Sequence, residues 1–213
     1  MKVCGIARRK DLDAAVDEGA DAVGFVVDVP SSPRNVSLER ARDLVEATPP
    51  FVQTVIVSVF TTIDRLAALC AYLTPNAVQV AGTPACNDTI SKPLDGVRVI
   101  RTIEVNDKIL PNALPYGLAC CDAVLADSGV PGAYGGTGIC HNWGISRAIR
   151  KSVAPTPFIL AGGLTSENLR TAIKTVRPYA VDVSSGVEAR SGAKDRAKIR
   201  AFIRAAREAS DAL

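Results

Sequence analysis

Cys4 stands beside Gly5 at the end of a short aliphatic run, and Asp127 closes the run Ala123-Val124-Leu125-Ala126 ahead of a glycine-rich segment. A thiol with open space beside it suits a nucleophile or a proton-transfer base, and it equally suits a small buried hydrophobe. A carboxylate at a strand end serves as a proton donor, a capping group or the partner of an arginine. Taken together the two supply what is needed to remove a proton from carbon while delivering one to oxygen. Arg34 follows Pro33, which extends the local backbone and presents a planar fork able to hold a carboxylate in two-point contact; a solvated surface arginine is the plainer meaning. Two small-residue loops complete the inventory. Gly162-Gly163 follows Phe158-Ile159-Leu160-Ala161, and Ser184-Ser185-Gly186 follows Ala180-Val181-Asp182-Val183. Main-chain N–H groups from two such neighbouring loops converge on an anion such as phosphate.

Elements that would carry these residues follow one another in strict alternation. Aliphatic runs at residues 2–6, 22–27, 54–60, 77–80, 97–103, 123–126, 157–161 and 180–183 read as strands. Amphipathic stretches at 11–18, 38–47, 63–73, 145–151, 166–176 and 194–209 read as helices, with Ser37 and Thr62 as N-cap candidates and Ser166-Glu167-Asn168 opening a helix with negative charge. Residues 83–92 have little helical period, so the fourth helix is expected to be short or irregular. Eight β and α alternations imply a parallel sheet closed into a single (β/α)8 TIM barrel, one domain over residues 1–213. In that architecture the working groups lie at the C-terminal ends of the strands, which selects Cys4 and Gly5, residues 31–34, Gln79 and Gly82, Arg101, Asp127 and Asp182. Cys4 and Asp127 then face each other across the barrel mouth. The glycine-rich stretch 129–138 suits a mobile cover, or simply a flexible surface loop. His141 is expected near the surface at the start of the sixth helix, with no partner evident in the sequence.

Bulk composition narrows the functional classes. Hydrophobic residues make up 47% and aromatics only 5%, so the core must be built from Val, Ile, Leu and Ala, as buried parallel strands are. A net charge of +3 without a polybasic stripe suits a small anionic substrate and argues against nucleic acid. No segment has the roughly 20 apolar residues needed to cross a bilayer, which argues against a membrane protein. The six cysteines include no CxxC pair, and the one histidine gives no zinc set, so a reduced cytoplasmic protein without a metal is expected.

An ordered set of segments resembles the phosphoribosylanthranilate isomerase family of tryptophan biosynthesis. The set comprises Lys2-Val3-Cys4-Gly5, Gly19-Ala20-Asp21-Ala22-Val23-Gly24-Phe25, Ser32-Pro33-Arg34, Val78-Gln79, Asp127, Gly135-Gly136-Thr137-Gly138, Ala161-Gly162-Gly163-Leu164, the run from Val181 through Glu188, and Lys194-Asp195. The resemblance spans nearly the whole chain. It implies an Amadori rearrangement of N-(5-phosphoribosyl)anthranilate to 1-(2-carboxyphenylamino)-1-deoxyribulose 5-phosphate, with no cofactor. By the same resemblance Cys4 matches the general base and Asp127 the general acid. Arg34 matches the position that recognises the anthranilate carboxylate, Asp182 a residue near the ribose hydroxyls, and Gly162, Gly163, Ser184 and Ser185 the phosphate loops. The implied partner is a small molecule bearing phosphate and carboxylate, bound by a monomer or a homodimer. Two segments depart from the family pattern. Gln-Leu-His-Gly becomes Gln79-Val80-Ala81-Gly82, and Phe-Asp-Trp becomes His141-Asn142-Trp143. Other readings are a different sugar-phosphate aminoaldose isomerase, which typically uses two carboxylates, and a barrel that binds a phosphorylated ligand without turning it over.

Overall fold

Parallel strands close on themselves because the first, β1 (Lys2–Val3), has a partner on each side. In this computed structural model, which describes residues 1–59, 62–82, 94, 96–106, 121–128 and 140–212, Lys2 lies in register with Ala22 on one side and with Asp182 on the other. The ring continues through β2 (Ala22–Val27), β3 (Gln53–Val59), β4 (Ala77–Ala81), β5 (Arg98–Val105), β6 (Ala123–Ser128), β7 (Phe158–Leu160) and β8 (Ala180–Val183), every pairing parallel. This is an eight-stranded (β/α)8 barrel, as the alternating pattern predicts.

Six helices are present among the described residues: α1 (Arg9–Asp17), α2 (Leu38–Glu46), α3 (Ile63–Leu73), α4 (Trp143–Ser152), α5 (Leu169–Val176) and α6 (Arg196–Asp211). The expected fourth helix at 83–92 and the glycine-rich loop at 129–138 lie outside the described residues. Ser37 and Thr62 cap α2 and α3 as expected, accepting from the backbone N–H groups of Arg40 and Arg65 at 3.2 Å each. The helix expected from 166 begins instead at Leu169. Asn168 is drawn into the preceding loop, where its Oδ1 accepts from the Thr165 N–H at 2.9 Å and its Nδ2 donates to the Gly163 carbonyl at 2.9 Å. The last helix starts at Arg196 rather than 194, because Ala193–Lys194 pairs antiparallel with Glu188–Arg190 in a short hairpin. Asp195 between hairpin and helix is the N-cap, accepting from the Lys198 N–H at 3.0 Å.

Two apolar layers hold the ring. Outward residues such as Phe25, Ile56, Val80, Val124 and Leu160 pack with Leu12, Leu44, Leu69, Ile149, Ile173 and Phe202 of the helices. Inside, Val55, Ala77, Ile100, Ala123, Leu125, Ile159 and Ala161 fill the barrel with mostly small side chains. Strands buried on both faces read as unbroken aliphatic runs, and this is why hydrophobicity locates them without telling which residues face inward.

Candidate active site

Above that apolar floor the barrel interior turns polar. Lys2 points inward from β1 and is 5% exposed. Its Nζ donates to Gln79 Oε1 on β4 at 2.9 Å and lies 3.1 Å from Asp182 Oδ1 on β8. The second contact is an ion pair between two buried side chains. Burial pulls the Lys2 ammonium down, but Asp182 and Cys4 outweigh it and its pKa ends above the ordinary value. Sequence reading included Lys2 only as part of a motif; its contacts join strands far apart in the chain.

Cys4, buried, lines the cavity above this trio. Gly24 on β2 makes room for it: a Cβ there would sit 2.9 Å from Cys4 Sγ and 3.0 Å from Lys2 Cε. Burial pushes the thiol pKa up and Asp182 adds to the rise, while the ammonium groups of Lys2 and Lys194 oppose it. Asp127 lines the same cavity from β6. Its carboxyl is pushed up to about 6, by burial first and then by the Asp182 charge, against the Ser128 N–H that donates to its Oδ1 at 2.8 Å. The two residues singled out as base and acid thus line one chamber, together with Arg34, Gln79, Asp182 and Ser184.

The small-residue loops adjoin this chamber, with Asp127, Asp182 and Ser184 lining both. Glycine is required there for close packing. A Cβ on Gly162, whose φ is +84°, would overlap Ser128 Oγ, and one on Gly186 would overlap the Leu164 carbonyl oxygen, so the two loops rest on each other and on the end of β6. Gly162, Gly163, Ser184 and Ser185 therefore form one concave surface beside the two carboxylates.

Arg34 reaches the cavity from the loop after β2, its stem crossing Gly5, where a Cβ would overlap Arg34 Cδ. It is buried rather than solvated. Nε and Nη2 donate to Glu188 Oε1 and Oε2 at 2.7 and 2.9 Å. Lys194 donates to the same Glu188 Oε1 at 2.9 Å and to the Ser184 carbonyl at 3.0 Å. Glu188 and Lys194 fell within the family-like motifs, but no spacing signal joins position 34 to position 188.

Two expectations from the sequence are corrected. Arg101 does not reach the mouth: β5 presents Thr102 and Glu104 to the cavity, and the alternation of the strand turns Arg101 outward. His141 is not a partnerless surface residue. Its Nδ1 lies 2.9 Å from Ser128 Oγ and its Nε2 2.5 Å from Ser146 Oγ, and burial lowers its pKa to about 4. Ala81, one of the departures from the family pattern, forms part of the cavity wall. Among the described residues no group of three or more His, Cys, Asp or Glu side chains could hold a metal ion, and no helix is long and apolar enough to cross a membrane. Cys4, Cys70 and Cys140 carry free thiols.

Comparison with known proteins agrees with this geometry. The family described as N-(5'phosphoribosyl)anthranilate (PRA) isomerase matches residues 1–205. N-(5'-phosphoribosyl)anthranilate isomerase of Haloferax volcanii is 41% identical over 214 residues, covering 100% of this chain and 95% of the relative. The crystal structure of phosphoribosyl anthranilate isomerase from Thermotoga maritima superposes with a TM-score of 0.83 at 38% identity, covering 97% of this chain and 98% of the other. A further solved isomerase, in complex with reduced 1-(o-carboxyphenylamino)-1-deoxyribulose 5-phosphate, gives a TM-score of 0.78 at 34% identity, with 97% of each chain covered. With a barrel closed through β1 and a thiol and a carboxylate in one chamber beside a glycine-serine cradle, the chain belongs to the phosphoribosylanthranilate isomerase family.

Proposed function

We propose that this chain, as a single barrel domain over residues 1–213, converts N-(5-phosphoribosyl)anthranilate to 1-(2-carboxyphenylamino)-1-deoxyribulose 5-phosphate in cytoplasmic tryptophan biosynthesis, without cofactor or metal. The observation that carries the reading is the placement of Cys4 and Asp127 in one chamber, with the glycine-serine cradle at one side and the Arg34 fork also in its wall. The cradle takes the phosphate and Arg34 the anthranilate carboxylate, so the substrate lies stretched across the mouth with its reacting carbons between base and acid.

Each group then has work that fits its surroundings. Asp127, with its pKa raised, donates a proton to the furanose oxygen, and the ring opens to a protonated Schiff base. Cys4 as thiolate removes the C2′ proton. The cationic nitrogen receives the electron pair, giving an enolamine that tautomerises to the ketone. Asp182, which lines the chamber beside Lys2, accepts from a ribose hydroxyl. The protein works as a monomer or a homodimer. Substrate formed in situ from anthranilate and phosphoribosyl pyrophosphate is fluorescent, and the chain should extinguish that signal at an enzymatic rate. Failure of the wild-type chain to do so, with the fold intact, would remove the assignment.

A further inference from the structure

Arg34 is expected to grip a carboxylate, yet the structure already has a carboxylate on it. The guanidinium of Arg34 and the Glu188 carboxylate are 8% and 5% exposed, and the Lys194 ammonium stem is fully buried. Glu188 pairs side-on, through Nε and Nη2. A guanidinium has five N–H bonds, and a side-on pair uses two of them. The end-on edge, made of Nη1 and the second Nη2 proton, is not claimed by Glu188. Arg34 also lines the cavity.

Glu188 is itself fixed from three directions. Lys194 donates to Oε1, Lys198 Nζ donates to the Glu188 carbonyl at 2.8 Å, and the residue stands at the start of the hairpin that Lys194 ends. At the hairpin turn Gly192, with φ +74°, has no room for a Cβ beyond 3.0 Å from the Pro33 carbonyl oxygen. The hairpin is therefore clasped to the segment that carries Arg34. Two buried cations meet one buried anion here, and an anion so placed cannot be withdrawn without leaving like charges face to face.

We propose that Glu188, anchored by Lys194, is a positioning residue that turns the free edge of Arg34 toward the substrate's carboxylate, and so sets the preference for an ortho-carboxyl aryl amine. This rests on the reading of Arg34 given above. Glu188 does not touch the reacting atoms; it acts through Arg34, whose long side chain would otherwise sample many rotamers. The opposite role, in which Glu188 occupies Arg34 as a competitor of substrate, predicts the opposite sign on its removal.

Two inhibitors separate these outcomes: reduced 1-(o-carboxyphenylamino)-1-deoxyribulose 5-phosphate, and its counterpart made from aniline, which lacks the carboxylate. The quantity read is the ratio of their dissociation constants by calorimetry. In Glu188→Gln the ratio should shrink by about tenfold or more, since a hydrogen-bonded charge contact is lost from a preset geometry. Binding of the aniline compound should change far less, and that also reports an intact fold. A ratio equal to wild type overturns the inference, and so does tighter binding of the carboxylate compound. Arg34→Met tests the underlying reading separately: if that variant keeps the wild-type ratio, Arg34 does not hold the carboxylate at all. If Arg34→Met collapses the ratio and Glu188→Gln leaves it, only the positioning role falls. Should Glu188→Gln fail to fold, Glu188→Gln with Lys194→Met, which removes a buried cation with the anion, is read the same way.

Discussion

Replacing Asp127 by asparagine should erase one bend from the pH profile of kcat/KM and leave the other. Burial and the Asp182 charge hold the Asp127 carboxyl at about 6. At pH 7 about a tenth of molecules then carry the proton, against fewer than about one in a thousand for an ordinary aspartate. Cys4 is shifted the same way, above its usual value, mainly by burial. The working form needs Asp127 protonated and Cys4 ionised, which is the minority arrangement of the pair. Below pH 6 the acid is in place and thiolate grows tenfold per pH unit, so kcat/KM rises. Above 6 the loss of Asp127 protons cancels the gain in thiolate, and the profile flattens until Cys4 itself titrates. A carboxamide in place of the acid cannot give up a proton to the furanose oxygen, so kcat/KM of Asp127→Asn at neutral pH should fall 10²–10⁴-fold, about 3–5 kcal/mol in transition-state stabilisation. The surviving activity should climb without a break through pH 6. His141, held near 4, cannot supply that bend. Fluorescence loss of substrate generated in situ, followed from pH 5 to 9.5, measures both features. Persistence of the bend near 6 in Asp127→Asn would refute the assignment of the acid.

Cys4→Ala should nearly abolish turnover while calorimetry with the reduced product finds affinity within about threefold of wild type, because the thiol gives little ground-state binding; unchanged turnover would exclude it as the base. Gly162→Ala forces an L-residue to φ +84° with its Cβ against Ser128, so stability should drop by about 1–3 kcal/mol, and inorganic phosphate should protect less against thermal unfolding. Glu18 accepts from Arg200 and Arg196 and is held at about 2 by them. Its folded pKa lies below the unfolded value, so its contribution is complete above about pH 4.5 and fades as pH falls toward 2. Glu18→Gln should accordingly lower the urea midpoint at pH 7 and make little difference at pH 2, and equal loss at both would contradict the ion-pair account.

The sequence made most of the barrel readable because each aliphatic run is bounded by turn residues and followed by a helical period. Errors gathered where side chains are used by tertiary contacts. Asn168 leaves its helix to hold the Gly163 carbonyl, and Lys194 leaves its own to build a hairpin with Ala193. Chamber-lining residues at strand ends, such as Cys4, Asp127 and Asp182, were legible from the rule that barrel chemistry sits at C-terminal strand ends. Arg101 misled for a simple reason: in a strand buried on both faces, hydrophobicity does not report which parity points inward. Partnerships such as Arg34 with Glu188 or Lys2 with Gln79 depend on closure of the ring, which no local pattern encodes.

Closure also orders events in time. During synthesis β1 emerges first, yet its second edge stays open until residues 180–183 arrive to pair with Lys2 and Val3. Lys2 meanwhile lacks its Asp182 counter-charge, and Arg34 lacks Glu188. A nascent chain thus carries two unmatched cations destined for burial until the last strand and its hairpin are made. The two ion pairs at the chamber therefore form only as the barrel closes. Binding competence comes only with the last fifth of the chain.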